Sequence, residues 1–110
     1  MTPRASRLIG LAAASLALQF SAIAFAAGDE GLELARKSSC MACHGVDKKI
    51  VGPAFQAVAQ KYKGDKTAAA TIEASIRKGS TGKWGPAAMP ANTTLKDADL
   101  KVLSQWVLSR

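Results

Sequence analysis

An all-α domain of four or so short helices is what this 110-residue sequence predicts, on three observations. Apolar residues recur three or four apart in separate stretches, no alternating strand pattern of useful length occurs, and glycine and proline gather between the stretches. Asp29 and Glu30 place negative charge at the start of a first helix, Leu32 and Ala35 follow at helical spacing, and Arg36 and Lys37 close it in the sense the helix dipole favours. Residues 46–51 read as a loop ending in Gly52-Pro53. Pro53 suits the first turn of a second helix carrying Phe55, Val58, Ala59 and Tyr62, which Gly64 stops. Residues 67–78 make a third helix, with Ile72 and Ile76 four apart and Gly79 as a left-handed cap. Gly79, Gly82, Gly85, Pro86 and Pro90 then punctuate a loop that is neither helix nor regular strand. A last helix starts around Thr94-Leu95-Lys96-Asp97, which has capping-box spacing with Asp in place of Glu. Leu100, Leu103 and Val107 share its inner face, with Trp106 beside them.

The first 26 residues read as a secretory leader. Arg4 and Arg7 precede an apolar run from Leu8 to Leu18, and Ala24-Phe25-Ala26 is a small-x-small cleavage signal. The run is short for a bilayer span. The remaining domain, 27–110, keeps 13 basic residues against 8 acidic ones, a net charge of +5, and nothing in it is long and apolar enough to span a membrane. A single domain of this length excludes a multidomain enzyme. Its aromatics are only Phe55, Tyr62, Trp84 and Trp106, so it lies near the size limit at which a core suffices alone, and some reinforcement is expected.

The two cysteines, Cys40 and Cys43, could close only a tiny disulfide loop, which constrains the unfolded chain weakly. Three chemistries compete for Cys40-Met41-Ala42-Cys43-His44. A dithiol redox site normally accompanies a βαβ pattern. A structural zinc site needs four protein ligands, and the chain has two Cys and one His. The third is covalent haem attachment: the two-residue spacer lets one helical turn present both thiols to one porphyrin edge, and the next residue, His44, falls beneath the iron. An export leader and the lack of any other His favour this third chemistry. His44 being the only His, a second axial ligand would have to come from Met. Met1 leaves with the leader and Met41 lies between the anchored cysteines, which leaves Met89, between Ala88 and Pro90 in the irregular loop. The alternative for Met89 is a flexible side chain filling a gap in the core.

Several dispersed stretches carry a family resemblance: Cys40-Met41-Ala42-Cys43-His44, Val51-Gly52-Pro53-Ala54, Ile76-Arg77-Lys78-Gly79-Ser80, Trp84-Gly85-Pro86, Met89-Pro90-Ala91-Asn92 and Trp106-Val107-Leu108-Ser109. Together they resemble a small bacterial class I cytochrome c of the cytochrome c-551 (cytochrome c8) type across the whole of 27–110. The stretch from Thr93 to Asp97 is slightly longer than the family pattern. The resemblance implies a class I cytochrome c fold of short helices around one covalently bound haem c, the first and last helices crossing through Leu32, Leu100, Leu103 and Trp106. It also implies that Cys40 and Cys43 hold the haem, that His44 and Met89 ligate its iron, and that the Pro53 carbonyl accepts the second imidazole proton. By the same resemblance Arg77 and Trp84 hydrogen-bond a haem propionate and Asn92 donates to the Met89 sulfur.

Two function classes follow. With His44 and Met89 both on the iron, the protein shuttles one electron, and the thioether raises the potential. With Met89 unbound, an open iron would reduce peroxide or sense a gas. Asp29, Glu30, Glu33, Asp47, Asp65, Glu73, Asp97 and Asp99 are scattered, and no glycine-rich phosphate loop follows a strand, so no catalytic machinery is expected. By resemblance the carrier is periplasmic and monomeric. It would run between a membrane quinol-oxidising complex and a nitrite reductase or terminal oxidase, as in denitrification or a respiratory chain. Lys48, Lys49, Lys61, Lys63, Lys66, Lys78 and Lys83 would steer it onto an acidic patch of a redox partner. Nucleic acid is disfavoured, since basic residues are not interleaved with aromatics.

Overall fold

A computed structural model describes residues 27–110, together with Gly10; the rest of the predicted leader, 1–26, lies outside the described residues. Four α-helices follow one another: α1 (Ala27–Lys37), α2 (Phe55–Lys61), α3 (Ala68–Lys78) and α4 (Asp97–Leu108), with a 3₁₀ turn at Cys40–Ala42. Among the described residues there is no strand, only two isolated bridges, His44 with Lys49 and Ser80 with Met89. None of these helices is long and apolar enough to cross a membrane.

α4 is the hub, since each of the other three helices packs on it. Its buried residues, Leu100, Leu103, Ser104, Trp106 and Val107, recur at the three- and four-residue spacing that makes one wide stripe. α2 brings Phe55, Val58 and Ala59, and α3 brings Ala68, Ile72 and Ile76. Ser104 is fully buried, and its hydroxyl donates to Glu73 Oε1 at 3.0 Å, tying α4 to α3. On α1, Leu32 is only partly buried against this core. The closest approach belongs to smaller residues: Ala35 is wholly buried, and a Cβ on Gly31 would fall 2.1 Å from Trp106 Cγ. Only a residue without a side chain lets α1 reach the indole. The indole Nε1 is the one buried side-chain polar atom without a partner among the described residues. Packing alone therefore holds this ring, against Phe55 edge-on at 5.1 Å and the Arg110 guanidinium at 5.0 Å from its centroid.

Four helix ends depart from the sequence reading. Pro53 stands outside α2, because the helix's first amides already have partners: Phe55 and Gln56 N–H donate to the carbonyls of Gly45 and Val46 at 2.9 and 3.0 Å. Tyr62 is the residue just past α2. The capping box at Thr94 does not form; Lys96 precedes α4 with no side-chain cap, and Thr94 N–H and Oγ1–H both donate to Asn92 Oδ1 instead. Gly79 has φ 82° but ψ 173°, so it is not the left-handed cap expected. Its extended ψ sends the chain directly into the Ser80–Met89 bridge, where a Cβ would lie 2.8 Å from the Met89 carbonyl. At the other end of α3, the Thr67 hydroxyl and amide both donate to Asp65 Oδ1 at 2.8 Å and hold that carboxyl below its ordinary range.

Candidate functional site

The thiol motif is built as a single hydrogen-bonded turn. Ser39 takes a left-handed conformation, φ 61°, which breaks α1 off sharply. Beyond it the amides of Cys43 and His44 both donate to the Cys40 carbonyl, at 3.2 and 3.0 Å. Both cysteines are half-buried free thiols. Burial pushes the Cys40 thiol up, only partly opposed by a backbone hydrogen bond, and the neighbouring Cys43 adds to the rise. The Cys43 carbonyl accepts from the amides of Val51 and Gly52 at 3.1 and 2.8 Å, closing the loop back onto the motif.

That closure seats the imidazole. His44 Nδ1–H donates to the Pro53 carbonyl at 2.7 Å. A carbonyl can only accept, so the proton is on Nδ1 and the Nε2 lone pair is free for a metal. Phe55 stacks on the ring at 5.0 Å and 19°, and Gly52 lies so close that a Cβ there would stand 2.5 Å from His44 Cε1. Through Phe55 the imidazole rests on Trp106 and hence on α4.

Another wall of the cleft hangs from the end of α3. Met89 exchanges two backbone hydrogen bonds with Ser80, at 2.8 and 3.0 Å, and Asn92 N–H donates to the Ile76 carbonyl at 2.8 Å. Asn92 Oδ1 accepts from Thr94 N–H, Thr94 Oγ1–H and Leu95 N–H. The amide is thereby oriented, and its Nδ2 makes no hydrogen bond among the described residues.

Between the walls runs a cleft whose sides include Cys43, His44, Pro53, Trp84 and Met89 over an apolar floor of Phe55, Ile72, Ile76 and Val107. It is open to solvent at its mouth. An adjoining hollow shares Cys43, His44 and Met89 and adds Cys40 and Asn92. Of the residues singled out from the sequence, Cys40, Cys43, His44, Pro53, Trp84, Met89 and Asn92 all line this space, and Arg77 does not. The Arg77 guanidinium donates to the carbonyls of Leu95 and Asn92 and to Asp97. Trp84 is 38% exposed at the rim, with Lys61 Nζ 4.6 Å from its ring centroid, a cation–π contact joining α2 to the long loop.

The donor set discriminates between the three chemistries. Among the described residues no cluster of three or more His, Cys, Asp and Glu could hold a metal ion, which leaves zinc without a ligand set, and no βαβ unit supports a dithiol site. Two thiols in one turn, an imidazole with Nε2 free and a thioether lining the same cleft fit a haem. Residues 28–110 match the family model for cytochrome c. The chain belongs to the cytochrome c family.

This cytochrome is 46% identical to cytochrome c-551 of Pseudomonas denitrificans over 72% of its own length and 95% of the relative's. The crystal structure of Nitrosomonas europaea cytochrome c552 superposes with a TM-score of 0.69 at 44% identity, covering 71% of this chain and 96% of that one. The class 1 cytochrome MtoD of Sideroxydans lithotrophicus ES-1 gives 0.63 at 30% identity, covering 74% and 92%. The protein is a small electron-carrier class I cytochrome of the c-551 type, with a covalently attached haem c, and as a carrier it has redox partners. Within this cytochrome two neighbours of the imidazole were not apparent as such from the sequence. Phe55 reads there as core alone, and Gly52 as part of a loop ending, because its backbone angles carry no positive-φ signature.

Proposed function

We propose that Cys40 and Cys43 hold the haem through two thioether bonds, that His44 and Met89 are its axial ligands, and that the protein carries one electron with no catalytic step of its own. The observation that carries this reading is that His44, its Nδ1 committed to Pro53, and Met89, its backbone pinned to Ser80, line the same cleft. The bound iron supplies a reversible ferrous–ferric couple. The chain does the rest: the Pro53 carbonyl fixes the imidazole tautomer and makes Nε2 a better donor, the Gly52 and Phe55 contacts hold the ring's orientation, and the apolar floor keeps water from the site. Asn92, with Oδ1 occupied, has Nδ2 left to donate to the Met89 sulfur, and Trp84 at the rim has its indole N–H for a propionate.

The test is the ferric absorption spectrum. The parent is expected to show a weak far-red sulfur-to-iron charge-transfer band, and Met89→Ala to keep its haem, lose the band and fall in potential. A parent lacking that band at neutral pH would point instead to an open iron that reduces peroxide or senses a gas.

The export reading places the carrier in the periplasm after loss of 1–26, between a quinol-oxidising complex and a nitrite reductase or terminal oxidase. Ile50 and Val51 are 54% and 53% exposed beside the exposed Lys48 and Lys49, and Val51 also lines the cleft. Such an apolar spot with a basic margin suits an acidic partner patch, and the positive charge would raise the encounter rate. Electron-transfer rates to the partner are expected to fall as ionic strength rises; rates indifferent to salt in stopped-flow mixing would remove the steering role.

A further inference from the structure

We propose that Arg77 is a positioning residue that braces the segment bearing Met89, and does not act on a haem carboxylate. The inference rests on the ligation reading above. Arg77 is in the last turn of α3, its side chain 27% exposed. One guanidinium nitrogen donates to the Leu95 carbonyl at 2.6 Å and reaches the Asn92 carbonyl at 3.4 Å, while the other donates to Asp97 Oδ1 at 3.0 Å. The Leu95 bond is short and charge-assisted, the class that contributes most. The Asp97 carboxylate is 98% exposed, so that pair contributes little. Arg77 lines neither hollow of the cleft.

The same end of α3 supplies every other tether of the segment. The Ile76 carbonyl takes Asn92 N–H, Ser80 takes both backbone groups of Met89, and Gly79 gives the clearance for the Met89 carbonyl. Asn92 Oδ1 folds residues 92–95 into a compact turn, and Arg77 clamps that turn from behind through its two carbonyls. Withdrawing Met89 from an iron by moving this backbone would break the clamp. Arg77 therefore biases the equilibrium toward the state in which the thioether is seated.

Free imidazole binds the iron only in the fraction of molecules with Met89 withdrawn, so its apparent affinity reads that fraction. Ferric holoprotein titrated with imidazole is expected to bind about tenfold more tightly in Arg77→Gln. Arg77→Lys, which keeps the charge without the planar fork, should fall between parent and Arg77→Gln, and Asp97→Asn should stay within about twofold of the parent. Thermal melts followed alongside separate a general loss of stability from this local effect. Unchanged imidazole affinity in both Arg77 variants, whatever their melting points, overturns the proposal, as does Asp97→Asn matching Arg77→Gln. If the parent itself shows no far-red band, the ligation reading fails and the brace falls with it. A parent with the band and variants without tighter imidazole binding refute the brace alone.

Discussion

A Gly31→Ala chain with its haem attached is expected to melt roughly 10–20 °C below the parent. Two effects oppose one another. Alanine in a helix interior is favoured over glycine by about 1 kcal/mol. Against this, the new methyl would fall 2.1, 2.2 and 2.6 Å from Trp106 Cγ, Cβ and Cδ1. Trp106 Cβ is fixed by the backbone, so no rotamer change clears it, and either α1 or α4 must shift. Overpacking of this kind costs about 1–3 kcal/mol and sometimes more. The contact lies at the hard end of that range and outweighs the propensity gain by about 2 kcal/mol. The Trp106 ring has no hydrogen bond through Nε1 to hold it in place, so the shift would propagate to Phe55 and from there to the imidazole stacked on it. Calorimetry of the holoprotein measures the effect, and a variant melting at or above the parent would show that α1 does not approach the indole as described. In a Trp106→Ala background the same Gly31 change should become neutral or stabilising, since a cycle of this kind isolates the pairwise clash.

Replacing both Cys40 and Cys43 by alanine is expected to leave no folded protein to purify. Twelve apolar residues are buried among those described, and four of them are alanines, so few large side chains make up the core of a domain already near the lower size limit. Phe55, Val58, Ile72, Ile76 and Val107, already part of that core, also line the cleft, and a large apolar group held there would add contact surface to them. Tethering through two thioethers keeps that group at the site throughout folding, which a dissociable cofactor would not. Limited proteolysis and far-ultraviolet circular dichroism of the expressed variant provide the measurement. A compact, protease-resistant, colourless product would show that the polypeptide core is sufficient alone.

Much of the site was legible because its chemistry is local. Cys40, Cys43 and His44 fall within one turn, so their spacing alone dictates that two sulfurs and an imidazole emerge together, and the count of one His and three Met singles out Met89, which lines the same cleft. The helices were legible for a similar reason: Ile72 and Ile76, or Leu100, Leu103 and Val107, declare an inner face by their period. Helix ends were less so. The amides of Phe55 and Gln56 are each satisfied by a carbonyl ten residues earlier, and Thr94 is taken by Asn92, partners that no local propensity reveals.

By itself, then, the sequence determined the all-helical body and the covalent attachment motif, since each depends on neighbours along the chain. The tertiary structure alone decided that Gly31 meets Trp106, that Gly52 and Phe55 enclose the His44 ring, and that Arg77 turns away from the cleft to the carbonyls of Asn92 and Leu95. The reason is physical. A guanidinium or a ring takes whichever acceptor or surface folding brings within reach, and residues 8 to 75 apart in sequence become neighbours only once the chain has folded.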